Sequence, residues 1–400
     1  MKILQINNVY AKGSTGKITK DLHDGLLNKG IDSIVLYGRG QKSDDPKVIK
    51  VCGEFYAHIN KVWSFITGIM YGGCFFSTNR IFRIIKKEKP DVVHLQCLNG
   101  NFVNIYRLIS WLKKNKIKTV LTLHAEFMHT GNCGHSLDCE KWKTGCGHCP
   151  RLRKETNSWF FDGTHRSWIK MKMAFDGFNT LQLVSCSDWL RGRSNESPIL
   201  KGLPNITIHN GIQTALFDYK TKPIDRDILH KYGIPLDKKI VLHVTPSFFG
   251  ELKGGEYFRQ LSEMLPKEYQ CVVVGCAGSD AKKIIHVPYT QNQEELATLY
   301  RCASVFVITS KCDNYPTVCL EANCCGTPVI GFDVGGVKET VFSKYGSFVR
   351  FGEVNALKNV VEEFSNTVIN EDEAKNILYR NSCERMTNDY IGTYGYLYDK

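Results

Sequence analysis

The sequence predicts an α/β protein made of two Rossmann-like domains. Short apolar strands alternate with helical patterns along most of its length. Its 400 residues exceed one ordinary domain, and two domains of about 200 are the natural division. Two separate sets of strands meet at "ITIHNGIQTALF", residues 206–217. The expected domains are therefore 1–208 and 209–380.

In the first set, strands are expected at "KILQIN", "DSIVLYG", "VVHLQ", "TVLTLH" and "LQLVSCS", with helices such as "FVNIYRLISWLKKN" between them. In the second set they fall at "KIVLHVT", "QCVVVG", "SVFVITS" and "TPVIGFD", separated by "GGEYFRQLSEML" and "NQEELATLYRCA". Apolar strands joined through helices make parallel sheets covered on both faces. Ligands of such sheets bind beyond the carboxyl ends of the strands. With two such domains facing each other, the site is expected in the cleft between them. That gives weight to Gly13, Gly16, His94, His124, Ser187, Lys253 and the residues after "VFVITS".

Composition is that of a soluble globular protein, with 42% hydrophobic and 23% charged residues. The opening residues read as a strand, not a signal peptide. Sixteen cysteines without a secretory signal imply a reducing compartment, so a cytoplasmic location is expected. The net charge of +12 is uneven. Residues 1–205 carry 31 Lys and Arg against 16 Asp and Glu, and residues 206–400 carry 21 against 24. A basic half suggests an anionic neighbour: a membrane surface, a phosphate-bearing acceptor or nucleic acid. No apolar run reaches the roughly 20 residues of a membrane span. The nearest, "VWSFITGIMYGGCFF" (62–76), reads as a buried helix or loop, with a membrane-interface segment as the alternative.

The segment "VYAKGSTGKITKDL", residues 9–22, resembles a phosphate loop in composition but not in spacing. Gly16-Lys17 is followed by Ile18, and no Gly stands five residues before Gly16. The Walker and dinucleotide fingerprints both fail. A Gly-containing turn between a strand and a helix starting near Lys17 is what is left, and it suits an anion at a helix N-terminus.

The more specific string is "SKCDNYPTVCLEANCCGTPVIGFDVGG". Asp313 lies in a loop after a strand, and Glu321, eight residues on, at the start of a helix. A carboxylate there can accept ribose hydroxyls, and amides at the helix start suit a diphosphate. Asp-x7-Glu followed by "ANCCGTPVIGFDVGGVKETV" resembles the Glu-x7-Glu signature of the family-4 retaining glycosyltransferases, which have the GT-B fold. "IHNGIQTALF", "GELKGG", "SCSDWLRG" and "NQEELATLYRCASVFVITS" extend that resemblance over nearly the whole chain. "CERMTNDYIGTYGYLYDK" is similar to the family's final helix, which returns to the first domain and adds residues from about 381 to 400 to it. "KGSTGKI" and "TLHAEFMHTGNC…CEKWKTGCGHCP" resemble the colanic-acid-type envelope polysaccharide glycosyltransferases.

The resemblance implies a retaining transferase moving a hexosyl group from a UDP- or GDP-sugar to a lipid-linked saccharide acceptor in envelope polysaccharide synthesis. It implies Glu321 on the donor ribose, Asp313 on sugar hydroxyls and Lys253 on the diphosphate. Amides of Thr317 and Val318, with Asn314 beside them, complete the donor cradle. His124 lies beside the transferred sugar, and Gly13 and Gly16 face the donor diphosphate or the acceptor. No catalytic metal is expected. An anionic membrane face is an expected partner and nucleic acid is not. The sequence departs from the family in having Asp for the first Glu and no Arg shortly before Lys253.

Cys133, Cys139, Cys146 and Cys149 are spaced C-x5-C-x6-C-x2-C. Thiolate softness and a count of four suit structural zinc, with disulfides or free thiols as alternatives and His135 and His148 as substitute ligands. A loop of about 25 residues with little apolar content of its own needs such an organiser. Two rival functions stand beside the transferase: a GT-B nucleotide-sugar epimerase, and a basic zinc-containing nucleic-acid-binding protein. The second lacks any helix-turn-helix, RRM or finger pattern.

Overall fold

The structure is a computed structural model, describing residues 1–156, 158, 160–218, 224–276, 278 and 283–399. Lys400, the last residue of the expected final helix, lies outside them. The chain divides into two compact units, Met1–His209 with Met386–Lys400, and Asn210–Arg385.

The first unit contains β1 (Lys2–Val9), β2 (Asp32–Arg39), β3 (Val48–Lys50), β4 (Val92–Leu95), β5 (Thr119–Leu123), β6 (Leu181–Ser185) and β7 (Asn205–Thr207). They form one sheet in the order β3-β2-β1-β4-β5-β6-β7, with every pair parallel. The second unit contains β8 (Lys239–Val244), β9 (Tyr269–Val274), β10 (Ile284–Val287), β11 (Val305–Ile308), β12 (Val329–Phe332) and β13 (Gly346–Val349). Their order is β10-β9-β8-β11-β12-β13, again parallel throughout. Both sheets have the doubly wound Rossmann order. Each therefore has a switch point, between β1 and β4 in one and between β8 and β11 in the other, where loops diverge and a ligand can enter.

The expected strands are all present. The structure adds β3, β7, β10 and β13, which are the four sheet edges. Each is only three or four residues long and partly exposed. An edge strand covered on fewer sides needs no continuous apolar run, so it leaves little signal.

Helices cover the sheets through apolar stripes. Ile105–Lys114 buries Ile105, Leu108, Ile109 and Leu112, and Asn104 caps it by accepting from the Arg107 amide at 3.0 Å. In the second unit Phe258 and Leu261 pack with Val241, Val273, Val305 and Ile330 in one core. The last helix, Cys383–Asp399, anchors in the first unit: the Tyr390 hydroxyl lies 2.8 Å from Thr122 Oγ1 and that of Tyr394 2.7 Å from His94 Nδ1. Among the described residues no helix is long and apolar enough to cross a membrane.

The segment 62–76 is a mixture. Ile69, Tyr71 and Cys74 are buried, as expected, but Val62, Ile66, Phe75 and Phe76 are exposed. The expectation of a buried segment is corrected for those four.

Candidate functional site

At the switch point of the second unit, two loops are tied together. The Lys311 amide donates to Leu252 O at 2.9 Å, and Thr309 Oγ1 donates to Lys253 O at 3.3 Å. Gly254 has φ +63, and a Cβ there would stand 1.9 Å from Thr309 O. Only glycine permits this approach. The result is that Lys253, after β8, meets Asp313, after β11, in an ion pair of 2.9 Å. Both side chains are partly exposed, so the pair is worth about 1 kcal/mol or less. Lys253 is thus positioned by a weak partner that an anionic ligand can replace.

Asp313 is also fixed through its backbone. Its carbonyl accepts from the Gly336 amide at 3.0 Å, and a Cβ on Gly335 would lie 2.0 Å from that oxygen. The "DVGG" turn therefore closes on the Asp313 loop. Thr317–Cys324 is an eight-residue helix preceded by Pro316, with no side-chain cap. Thr317 and Val318, partly exposed, begin it, and Asn314 just before it is buried. Their amides suit an anion by position and by dipole.

Glu321 is the fifth residue of that helix, which corrects the expectation that it stands at the helix start. It belongs to the second turn, one turn deeper than the leading amides. It is only 7% exposed, and Tyr300 donates to its Oε2 at 3.1 Å. Burial and the neighbouring Glu321 charge hold the Tyr300 hydroxyl protonated. Tyr300 fixes the carboxylate from a different helix, Gln293–Cys302. Sequence reasoning missed this residue because the contact spans 21 positions and Tyr300 reads only as part of an apolar stripe.

In the first unit the helix after β1 runs Gly13–Asn28, not from near Lys17 as expected. Gly13 and Gly16 thus form its first turn. Gly13 takes φ +66, and Gly16 lies where a Cβ would be 3.0 Å from Val9 Cγ2, so glycine lets the helix start close against the strand end.

His124 follows β5, partly buried, with Nε2 3.0 Å from Gln96 Oε1. Gln96 in turn donates from Nε2 to Gln5 Oε1 at 2.7 Å, which orients its amide. Burial lowers the His124 pKa to about 4, so the ring is neutral near pH 7 and acts as a hydrogen-bonding group rather than a cation. Gln96 as the positioning residue was missed too, because it reads as a strand end. His94 is fully buried, between Thr122 and Tyr394, and belongs to the core. Ser187 caps the helix Asp188–Glu196, accepting from the Leu190 amide at 3.2 Å. Both have structural duties.

The cysteine segment is organised differently from the expectation. Cys133, Cys139, Cys146 and Cys149 are free thiols, as are the other cysteines. They are neighbours, and their mutual proximity, after burial, helps raise the pKa of Cys146 to about 12. Among the described residues, however, no three of the four sulfurs lie within 4.8 Å of one another. Sulfurs on a tetrahedral zinc stand about 4 Å apart. The donor set suits zinc in kind and number; its spacing here does not.

The segment instead has anchors of its own, which corrects the premise that it lacks them. Trp142 is buried, and its carbonyl accepts from Trp168 Nε1 at 2.8 Å. Glu126, 1% exposed, accepts from Ser136 Oγ at 2.6 Å and pairs with Arg193 Nε at 3.2 Å. Burial alone raises a carboxyl pKa, but His129, Ser136 and Arg193 outweigh it and bring Glu126 to about 2. The Arg193 guanidinium also stacks 5.0 Å from the Trp142 ring.

Residues 225–381 match the family described as glycosyl transferases group 1. The putative colanic acid biosynthesis glycosyl transferase WcaC of Escherichia coli strain K12 is 24% identical, over 98% of this chain and 99% of its own. Among solved structures, a glycosyltransferase from Rickettsia africae has a TM-score of 0.68 at 16% identity, covering 99% of this chain and 98% of its own. HepE of Anabaena, in complex with UDP, has a TM-score of 0.62 at 14% identity, covering 98% and 99%. The relative and the two solved structures match this chain from end to end, whereas the family match is confined to residues 225–381, and the fold is that of the GT-B enzymes.

Proposed function

We propose that this chain, a glycosyltransferase whose residues 225–381 belong to group 1 of that class, transfers a hexosyl group with retention from a UDP- or GDP-sugar. The observation that carries the donor reading is the joining of Lys253, Asp313 and the Thr317–Cys324 helix at one switch point. Glu321 takes the ribose hydroxyls, and Tyr300 keeps its carboxylate turned for them. Lys253 exchanges Asp313 for the diphosphate, and the Thr317 and Val318 amides add their dipoles. Asp313, released, is left beside the sugar hydroxyls. As the sugar–phosphate bond breaks, negative charge grows on the diphosphate, so Lys253 and these amides stabilise the transition state more than the bound substrate. The UDP complex of HepE favours a uridine donor.

In the first unit, neutral His124 is suited to hydrogen-bond the transferred sugar, and the Gly13–Gly16 turn to receive an anionic group of donor or acceptor. The acceptor is a lipid-linked saccharide used in envelope polysaccharide synthesis, a reading supported by the colanic acid relative and by the excess of cations in residues 1–205.

Thermal-shift measurement with UDP-, GDP- and ADP-sugars tests the donor. One class should stabilise the wild type by mass action. Lys253→Ala should weaken that shift and lower kcat/KM by about thirtyfold, or ~2 kcal/mol. An unchanged shift and rate in the variant would place the diphosphate elsewhere.

A further inference from the structure

The helix Glu54–Thr67 is built with its polarity reversed. Its buried residues are Ala57, Asn60 and Ser64. The inward polar groups are satisfied. Asn60 donates to Tyr56 O at 2.7 Å and accepts from the Cys74 amide at 2.6 Å, and Ser64 lies 3.1 Å from Met70 O. This inner face pins the turn that follows. The outer face presents Phe55 (79% exposed), Ile59, Val62 and Ile66. Their spacing of four, three and four residues sets them on a single stripe.

The patch extends beyond this helix. Phe76, 76% exposed, opens the helix Phe75–Glu88, and its amide donates to the Tyr56 hydroxyl at 3.1 Å. At the other end, a Cβ on Gly68 would lie 2.2 Å from Phe161 O, so the loop carrying exposed Phe160 and Phe161 abuts the helix terminus. An apolar surface of this extent is not left to water without a partner.

Charge identifies the partner. Residues 55–87 contain five Lys and Arg and no Asp or Glu. Arg80, Arg83 and Lys87 are exposed and continue the helical row that begins at Phe76. An apolar stripe beside a predominantly cationic row, in which Lys87 has the acidic neighbour Glu88 at 3.8 Å, is the pattern of a surface lying in the headgroup region of an anionic bilayer. We infer that the outer faces of Glu54–Thr67 and Phe75–Glu88 dock this protein on anionic lipid. The inference deepens the reading of a lipid-linked acceptor and rests on it only for its purpose.

The test is flotation of the full chain with phosphatidylcholine vesicles, with and without phosphatidylglycerol. The wild type should bind the anionic vesicles more strongly, and salt should weaken that binding. Substituting Phe55→Ser, Ile59→Ser and Ile66→Ser together should abolish flotation. Arg80→Gln, Arg83→Gln and Lys87→Gln should reduce anionic binding by roughly fivefold per cation removed. Both variants should keep the nucleotide-sugar thermal shift, which shows that they fold. Vesicle binding that neither variant alters overturns the inference. So does a wild-type dimer, seen by light scattering, that dissociates in the serine variant while no form binds vesicles; the stripe then joins two copies. Loss of docking with the donor shift intact leaves the transferase reading standing, and absence of the donor shift in the wild type counts against that reading alone.

Discussion

Two loop segments follow central strands of the two units, and they are held in opposite ways. The segment after β11 is fixed by backbone closeness: Gly254 against Thr309 O and Gly335 against Asp313 O leave no room for a side chain. Its charged groups are then joined only by a weak, half-exposed pair, Lys253–Asp313. The segment after β5 is fixed by the buried side chains of Glu126 and Trp142, with partly buried Arg193 joined to both. Charges tied up inside hold a fold, whereas charges presented on a rigid backbone stay available to a ligand. Substitutions in the two segments should therefore fail in different ways.

The largest effect is expected at Glu321. Glu321→Gln keeps the volume and an acceptor for Tyr300 but loses the carboxylate. Two charge-assisted hydrogen bonds to ribose are worth ~3 kcal/mol or more, so kcat/KM should fall by about a hundredfold. The unfolding midpoint should stay near that of the wild type. Wild-type turnover would remove Glu321 from the site, and collapse of the fold would make it structural like Glu126.

Glu126 should give the converse result. Glu126→Ala leaves Arg193 without its buried partner, costing about 3 kcal/mol of stability, while the fraction that remains folded keeps its donor affinity. The pH dependence has a definite sign. Glu126 has its carboxyl held at about 2, below the ordinary value of 4.5. Its contribution is complete above the unfolded value and is lost as pH falls from there toward 2. Urea midpoints of wild type and variant should therefore differ at pH 7 and converge on acidification. A difference that is constant with pH would show that the network does not depend on this charge.

The same contrast explains what could be read from the sequence. The alternation of strands and helices is local, so the doubly wound fold was legible, except for β3, β7, β10 and β13, whose edge positions relax the apolar requirement. The Asp313–Glu321 spacing is local too. Tyr300 behind Glu321 and Gln96 behind His124 were not legible, because each acts across a contact made only by the folded chain. The outward face of Glu54–Thr67 was hidden for a related reason. Periodicity shows that a helix has an apolar side but not which way it faces, and here Asn60 and Ser64 take the inner side by bonding the next turn.

The smallest effect should come from metal removal. The C-x5-C-x6-C-x2-C pattern invites zinc, and zinc there is a proposal that metal analysis of tag-free protein decides. A structural zinc contributes most where nothing else orders the chain. This segment already has a buried tryptophan and a buried carboxylate paired with partly buried Arg193, and the four sulfurs are not gathered at zinc spacing. Dialysis against a chelator should therefore change stability by less than about 1 kcal/mol, well under the cost of Glu126→Ala. Cys146→Ser should be similarly mild, since a serine hydroxyl can keep the polar contacts of that thiol, to Thr130 O at 3.6 Å and to the Asn132 side chain. If instead the protein yields one zinc per chain and unfolds on chelation, the thiols close around a metal. The two segments would then share a principle, since each would be held by ligation or backbone closeness rather than by a core.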